Sequence, residues 1–184
     1  LLRIHCYDEC FHQISIFAMR DNASDHPPSS HQSPHIVSMD PAQAEALQML
    51  EELSDTLAAI TGSSGKASFD PDDVRGPMAC FVVARDAAGI AIGCGAFRPL
   101  REGIAEVKRM YARPGNPGTG SAILAHLEVE AKILGYRAIW LETRLVNERA
   151  VRFYESRGYK RIDNFGKYAG SALAVCFEKR LLPD

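Results

Sequence analysis

Residues 104–134, IAEVKRMYARPGNPGTGSAILAHLEVEAKIL, hold the order of elements on which the rest of the chain depends. An apolar, strand-like run over residues 104–111 meets the turn-rich Arg113-Pro114-Gly115-Asn116-Pro117, and Gly118-Thr119-Gly120-Ser121 then opens an amphipathic helix. Strand, glycine turn and helix in that order make an anion site. The first N–H groups of a helix have no partner inside it, and its dipole leaves partial positive charge there, so a phosphate can satisfy both. Glycine lets a ligand approach because no Cβ stands in its way. One G-x-G ahead of a helix is a weak signal by itself, so the flanking segments must decide.

Downstream, Ala138-Ile139-Trp140-Leu141-Glu142 is a short run apolar on both faces, best placed as a strand parallel to residues 104–111 across the helical crossover. Asn147 then opens a second helix reaching Arg157, with Ala150, Val151, Phe153 and Tyr154 on its apolar face and Gly158 at its end. Two further strands, 159–162 and 172–179, flank the loop 164–170. Upstream, residues 78–85 and 90–97 are β-rich runs joined by Asp86-Ala87-Ala88-Gly89, a hairpin signal, and with residues 104–111 they form a meander. Residues 35–39 suit a short first strand. Asp40 as cap, Pro41 at the first position and Gln43 at the third then start a helix whose stripe of Ala46, Leu47, Leu50, Leu53, Leu57 and Ile60 faces the core. Gly62 ends it, and residues 62–76 form a polar connection with one helical turn at 70–74. The fold class is α/β of the α+β type: a mixed, mostly antiparallel sheet of six to seven strands around a central β-α-β crossover.

The chain has 184 residues, enough for one core, and the expected organisation is an N-terminal extension or linker over 1–35 and a single domain over 36–184. Residues 21–30 are polar and broken by Pro27 and Pro28. A formal net charge of −2 supplies no broad basic field, so nucleic acid is not an expected partner. No apolar run approaches a membrane span, and residues 1–19 lack the pattern of a secretion signal. Five scattered cysteines, Cys6, Cys10, Cys80, Cys94 and Cys176, suit buried thiols in a reducing compartment, and a cytoplasmic location is expected. His5, Cys6, Cys10 and His12 match no familiar zinc spacing, so no metal is expected.

Three blocks in register resemble the GCN5-related N-acetyltransferases, the GNAT family: Ala105-Glu106-Val107-Lys108-Arg109-Met110-Tyr111, Gly118-x-Gly120-x-Ala122-Ile123-Leu124, and Asn147-x-x-Ala150-x-x-Phe153-Tyr154-x-x-x-Gly158-Tyr159. The resemblance spans residues 35–181. It implies that acetyl-CoA, as co-substrate, lies in a V between two splayed parallel strands, 104–112 and 138–142. The pantetheine arm would run beside Met110, Tyr111 and Ala112, and the diphosphate would rest on Gly118, Thr119, Gly120, Ser121 and Ala122, with Asn147 and Tyr154 also against the cofactor. A splayed strand exposes backbone groups that an amide-bearing arm can satisfy. One departure stands out. The family usually carries Gln or Arg three residues before the first glycine; here Gly115 stands there, followed by Asn116-Pro117, in a shorter loop. Either cofactor affinity is reduced or Arg113 and Ser121 compensate.

Acetyl transfer to an amine needs a neutral nucleophile, a polarised thioester carbonyl and a proton for the departing thiolate. Freeing a lysine-like amine of its proton at neutral pH costs roughly 4 kcal/mol, so a base is useful. The resemblance puts Glu106 at the position of a catalytic glutamate and Tyr154 beside the thioester sulfur as proton donor. A sheet ion pair for Glu106, a core tyrosine for Tyr154 and a helix cap for Asn147 are the structural alternatives. Backbone N–H groups at 110–112 would polarise the carbonyl. Cys94 and Cys176 sit in apolar strands with no histidine nearby in sequence, so direct transfer is expected. The acceptor, a primary amine of a small molecule or peptide, should be bounded by loop 62–76, the 97–103 turn with Phe97, and the loop carrying Phe165 and Tyr168. Glu102, Glu106 and Glu142 could make that mouth acidic. The alternative from another class is a non-catalytic acyl-CoA-binding or sensing module, and a homodimer is left open.

Overall fold

A computed structural model describes residues 33–182; the expected linker and the Cys6/Cys10 segment lie outside them. The element order is β1 (His35–Ser38), α1 (Ala44–Thr61), β2 (Cys80–Arg85), β3 (Ala91–Arg101), β4 (Ile104–Ala112), α2 (Thr119–Ile133), β5 (Ala138–Arg144), α3 (Glu148–Glu155), β6 (Lys160–Ile162) and β7 (Ala174–Arg180). Seven strands form one sheet in the order β1-β2-β3-β4-β5-β7-β6. Every neighbouring pair is antiparallel except β4 and β5, which the α2 crossover joins in parallel. The expected fold class therefore holds. Between α1 and β2 the structure adds a second 3-10 turn, Lys66–Ser68, to the expected one at Pro71–Val74.

The sheet is covered on both faces. Ile123, Leu124, Leu127 and Ala131 of α2, with Val151 and Tyr154 of α3, pack on one face against Val107, Ile139 and Phe177. Ala46, Met49 and Leu50 of α1 pack on the other against Phe81, Val83 and Cys94. This second face corrects the expected stripe. Met49 and Ser54 are buried, whereas Leu47 and Ile60 are 48% and 43% exposed. Ser54 is tolerated inside because its hydroxyl donates to the Leu50 carbonyl. The helix also starts later than Asp40-Pro41 suggests: Asp40 accepts from the Ala42 N–H and closes a separate turn, and α1 proper begins after Gln43 without a side-chain cap.

Two close approaches lock the centre of the sheet to α2. A Cβ added at Gly93 would sit 2.5 Å from the Tyr111 carbonyl and 2.9 Å from Thr119 Cγ2. One at Gly95 would sit 2.5 Å from Ile123 Cγ2 and 2.8 Å from the Met110 sulfur. Only glycine fits there.

Candidate active site

The β4–β5 ladder stops early. Ile104, Ala105 and Glu106 pair with Ala138, Ile139 and Trp140, and beyond Glu106 the two strands have no register with each other although both continue. A bulge in β4 accompanies the divergence. Cys94 faces Tyr111 and Ala96 faces Lys108, so Arg109 and Met110 together oppose Gly95. Arg109 takes φ 56° there, the one non-glycine residue at positive φ among those described. That conformation costs an ordinary side chain energy and persists only where the surroundings hold it. Here the Cys94 thiol donates to the Arg109 carbonyl at 3.5 Å. The guanidinium donates to the carbonyls of Gly65 at 2.6 Å and Ser64 at 3.5 Å and lies 4.8 Å over the Phe69 ring.

The opening is a cleft of about 590 Å³. Its walls come from β4 (Val107, Lys108, Arg109, Met110), β5 (Glu142, Thr143, Arg144), α3 with its cap (Asn147, Ala150, Tyr154), α1 (Leu53, Leu57, Thr61), the loop after α1 and the loop carrying Lys167 and Tyr168. Met110, Asn147, Tyr154 and Tyr168 thus line one cleft. Asn147 Oδ1 also caps α3 by accepting from the Ala150 N–H at 3.3 Å, so the structural and the site-facing positions are the same residue.

Phe97 does not belong to this wall. It is fully buried and meets Tyr136 edge-on at 5.8 Å, because its side of β3 faces α2 rather than the acceptor loops. Tyr111 also turns away, packing toward the α1 face with its hydroxyl 3.4 Å from Glu52, so only its backbone lies along the open strand. Glu106 is 2% exposed and does not line the cleft. Arg98 Nε stands 3.0 Å from one of its oxygens and Lys108 Nζ 2.9 Å from the other. A carboxylate held by two cations is a sheet anchor, and breaking such a buried pair is costly. The acidic-mouth expectation therefore fails at Glu106. Glu142 is the carboxylate on the cleft wall, and burial raises its pKa although Arg144 and Lys108 pull it down.

Tyr154 is 7% exposed, set edge-on against Phe153 at 5.1 Å and Tyr159 at 5.6 Å. No hydrogen bond within the described residues engages its hydroxyl, and no buried side-chain oxygen or nitrogen among them is unsatisfied, so the phenol opens onto the cleft. Burial, with a smaller push from Glu142, holds its pKa above the ordinary tyrosine value. A phenol so placed gives up its proton less readily than an ordinary tyrosine but can still donate a hydrogen bond. Burial also pushes the Cys94 thiol up to about 12 and raises Cys176, which removes both as ready nucleophiles.

At the α2 N-terminus, Gly118 takes φ 84° and offers no side-chain cap. Thr119 donates its N–H to the Asn116 carbonyl at 3.4 Å and buries its side chain against Gly93, so it is not free to bind a ligand as expected. Ala122 donates to Gly118 O at 3.0 Å, which likewise occupies its amide. The amides of Gly120 and Ser121 find no acceptor among the described residues. Arg113 does not compensate for the short turn: its Nε and Nη2 bind Glu52 at 2.8 and 2.6 Å. Arg157 stands there instead. It donates to Ser121 Oγ and lies 4.0 Å over the Phe153 ring, with no carboxylate in ion-pair contact among the described residues. Sequence spacing gave no hint of it, since Ser121 lies in α2 and Arg157 in the turn after α3, 36 positions away.

Comparison with known proteins agrees with this geometry. The family model described as the acetyltransferase (GNAT) family matches residues 46–159. The chain belongs to the GNAT family of acetyltransferases. Within that family it is 32% identical over 144 residues to an IAA acetyltransferase of Azospirillum brasilense, covering 77% of this chain and 94% of that one. Among solved structures, a Klebsiella pneumoniae protein provisionally assigned as an acyl-CoA N-acyltransferase superposes with a TM-score of 0.69 at 26% identity, over 81% of this chain and 98% of that one. An aminoglycoside 6'-N-acetyltransferase solved in complex with coenzyme A shares the fold at a TM-score of 0.59 and 18% identity, over 82% of this GNAT chain and 98% of the other. As a GNAT N-acetyltransferase the chain is an enzyme, and the non-catalytic binding module is not favoured. No described helix is long and apolar enough to cross a membrane.

Proposed function

We propose that this chain moves the acetyl group of acetyl-CoA directly to the primary amine of a small molecule or peptide, within the wedge between β4 and β5. The observation that carries the reading is the ladder ending at Glu106 while both strands run on. The residues fit the cofactor. The open edge of β4 around Met110 offers backbone groups to an amide-bearing arm, and the Gly120 and Ser121 amides with the Arg157 guanidinium offer donors and charge to a diphosphate. Acetyl-CoA supplies an activated thioester.

The protein's own groups do the rest. Glu142, with its pKa raised, takes a proton from the incoming ammonium more effectively than an ordinary carboxylate would. Tyr154 offers a hydrogen bond to negative charge on the departing sulfur from a fixed, largely dry position. Leu53 and Leu57 of α1 and Ala150 of α3 give the cleft apolar wall from two elements. Release of free CoA thiol in the presence of an amine panel tests the proposal. Tight acetyl-CoA binding with no amine-dependent thiol release would defeat it.

A further inference from the structure

The charge of the cleft points away from the cationic acceptor that scattered glutamates suggest. The whole chain has a net charge of −2, yet the wall carries Lys108, Arg109, Arg144 and Lys167 against the single carboxylate of Glu142. Lys108 is committed to Glu106 at 2.9 Å and donates to the Tyr168 hydroxyl at 3.3 Å. Arg109 is different. Its half-buried guanidinium meets only the Ser64 and Gly65 carbonyls and the Phe69 ring, with no carboxylate in ion-pair contact among the described residues. Lys167, across the same end of the cleft, has no ion pair among them either and sits 5.5 Å from the Tyr168 ring centre. Taking a guanidinium out of water without a counter-charge is costly, and a planar carboxylate is the group its donor fork fits. A polycation entering this end would meet like charge as it lost water.

We propose that the acetyl acceptor is an amine that also bears a carboxylate, docked against Arg109 and Lys167 beside the loop after α1. The inference rests on the transferase reading above and names its substrate class. The Arg157 end of the cofactor site is built from different elements, the start of α2 and the turn after α3, so the two anion-binding regions are separable by mutation.

The test uses the full chain with saturating acetyl-CoA, the twenty common amino acids, their C-terminal amides, and kanamycin as a polycationic amine. Thiol release gives turnover, and calorimetry with CoA present gives binding without it. The expected result is that at least one amino acid outperforms its own amide by roughly tenfold in kcat/KM, the order of a single charge-assisted contact. Lys167→Ala should raise KM for that amino acid while KM for acetyl-CoA stays put. Arg109→Gly, which suits the positive φ, should erase the preference for the free carboxylate; if it does not fold, Lys167→Glu serves in its place by repelling the carboxylate. Tighter binding of the acid than the amide without turnover would support the anion site and sink the transferase reading. Turnover with acids and amides used equally, preference for kanamycin, or no binding by any amino acid would overturn the carboxylate proposal.

Discussion

The two halves of β4 were made from one continuous run of sequence and behave oppositely. Residues 104–106 are laddered to β5, with Ala105 and Glu106 buried and Glu106 neutralised by Arg98 and Lys108. From Val107 onward the strand is held by β3 alone on the other side and lines a cleft. Hydrophobicity does not distinguish them: Met110 in the open half is as apolar as Ala105 in the paired half. The separation comes from a bulge at Arg109 and from the glycines opposite it. A functional edge here is a strand whose partner has been taken away locally, with the pairing on its far side left to keep it rigid.

If this contrast is correct, the heaviest damage should follow from forcing mass into the glycine layer beneath the open half. Gly93→Ala puts a methyl group 2.5 Å from the Tyr111 carbonyl, which is backbone and cannot swing aside. A loss of about 1–3 kcal/mol is expected, read as a lower Tm and denaturant midpoint, with activity falling alongside. Tyr154→Phe should leave stability nearly unchanged and lower kcat by about a hundredfold, with KM for acetyl-CoA moving little. Unaltered kcat would remove the phenol from the chemistry.

Glu142→Gln separates the open half from the closed half by pH. As the proposed base Glu142 would work deprotonated, so the wild-type rate should climb as pH rises through a pKa lying above the ordinary carboxylate value. In the variant that rising limb should vanish from the kcat/KM profile; its persistence would assign the limb to another group. The counterpart, Glu106→Gln, should act first on stability by leaving Arg98 and Lys108 without their shared anion. Smallest of all, Arg157→Ala should raise KM for acetyl-CoA roughly fivefold, about 1 kcal/mol, with kcat little changed.

Much of this architecture was legible because its signals are local. The strand, glycine turn and helix at 104–134, the Asp86–Gly89 hairpin and the Asn147 cap are each written within a few neighbouring residues, and the meander and the parallel crossover follow from them; that β7 inserts between β5 and β6 does not. Facing was harder. Leu47 and Met49 are both plausible core residues of α1, and only the position of the sheet decides that Met49 goes in. Phe97 reads as part of a turn, but β3 continues to Arg101 and keeps it on the α2 side. Long-range pairings left no periodic trace: Arg113 with Glu52 is 61 positions apart, and Arg157 with Ser121 is 36. The Arg98–Glu106 pair was closer to hand, since antiparallel neighbours eight apart face each other across a short turn.

The bulge at Arg109 also sets a rule of parity. Ala105 and Val107 point toward α2, and without an extra residue Met110 would fall on the opposite face; with it, Met110 returns to the α2 side near Gly95, and Tyr111 packs toward α1. Deleting Arg109 would keep every one of these side chains on its present face while letting the strand run straight. The resulting chain would keep the same interior while losing the local bend that the extra residue gives the open half of β4.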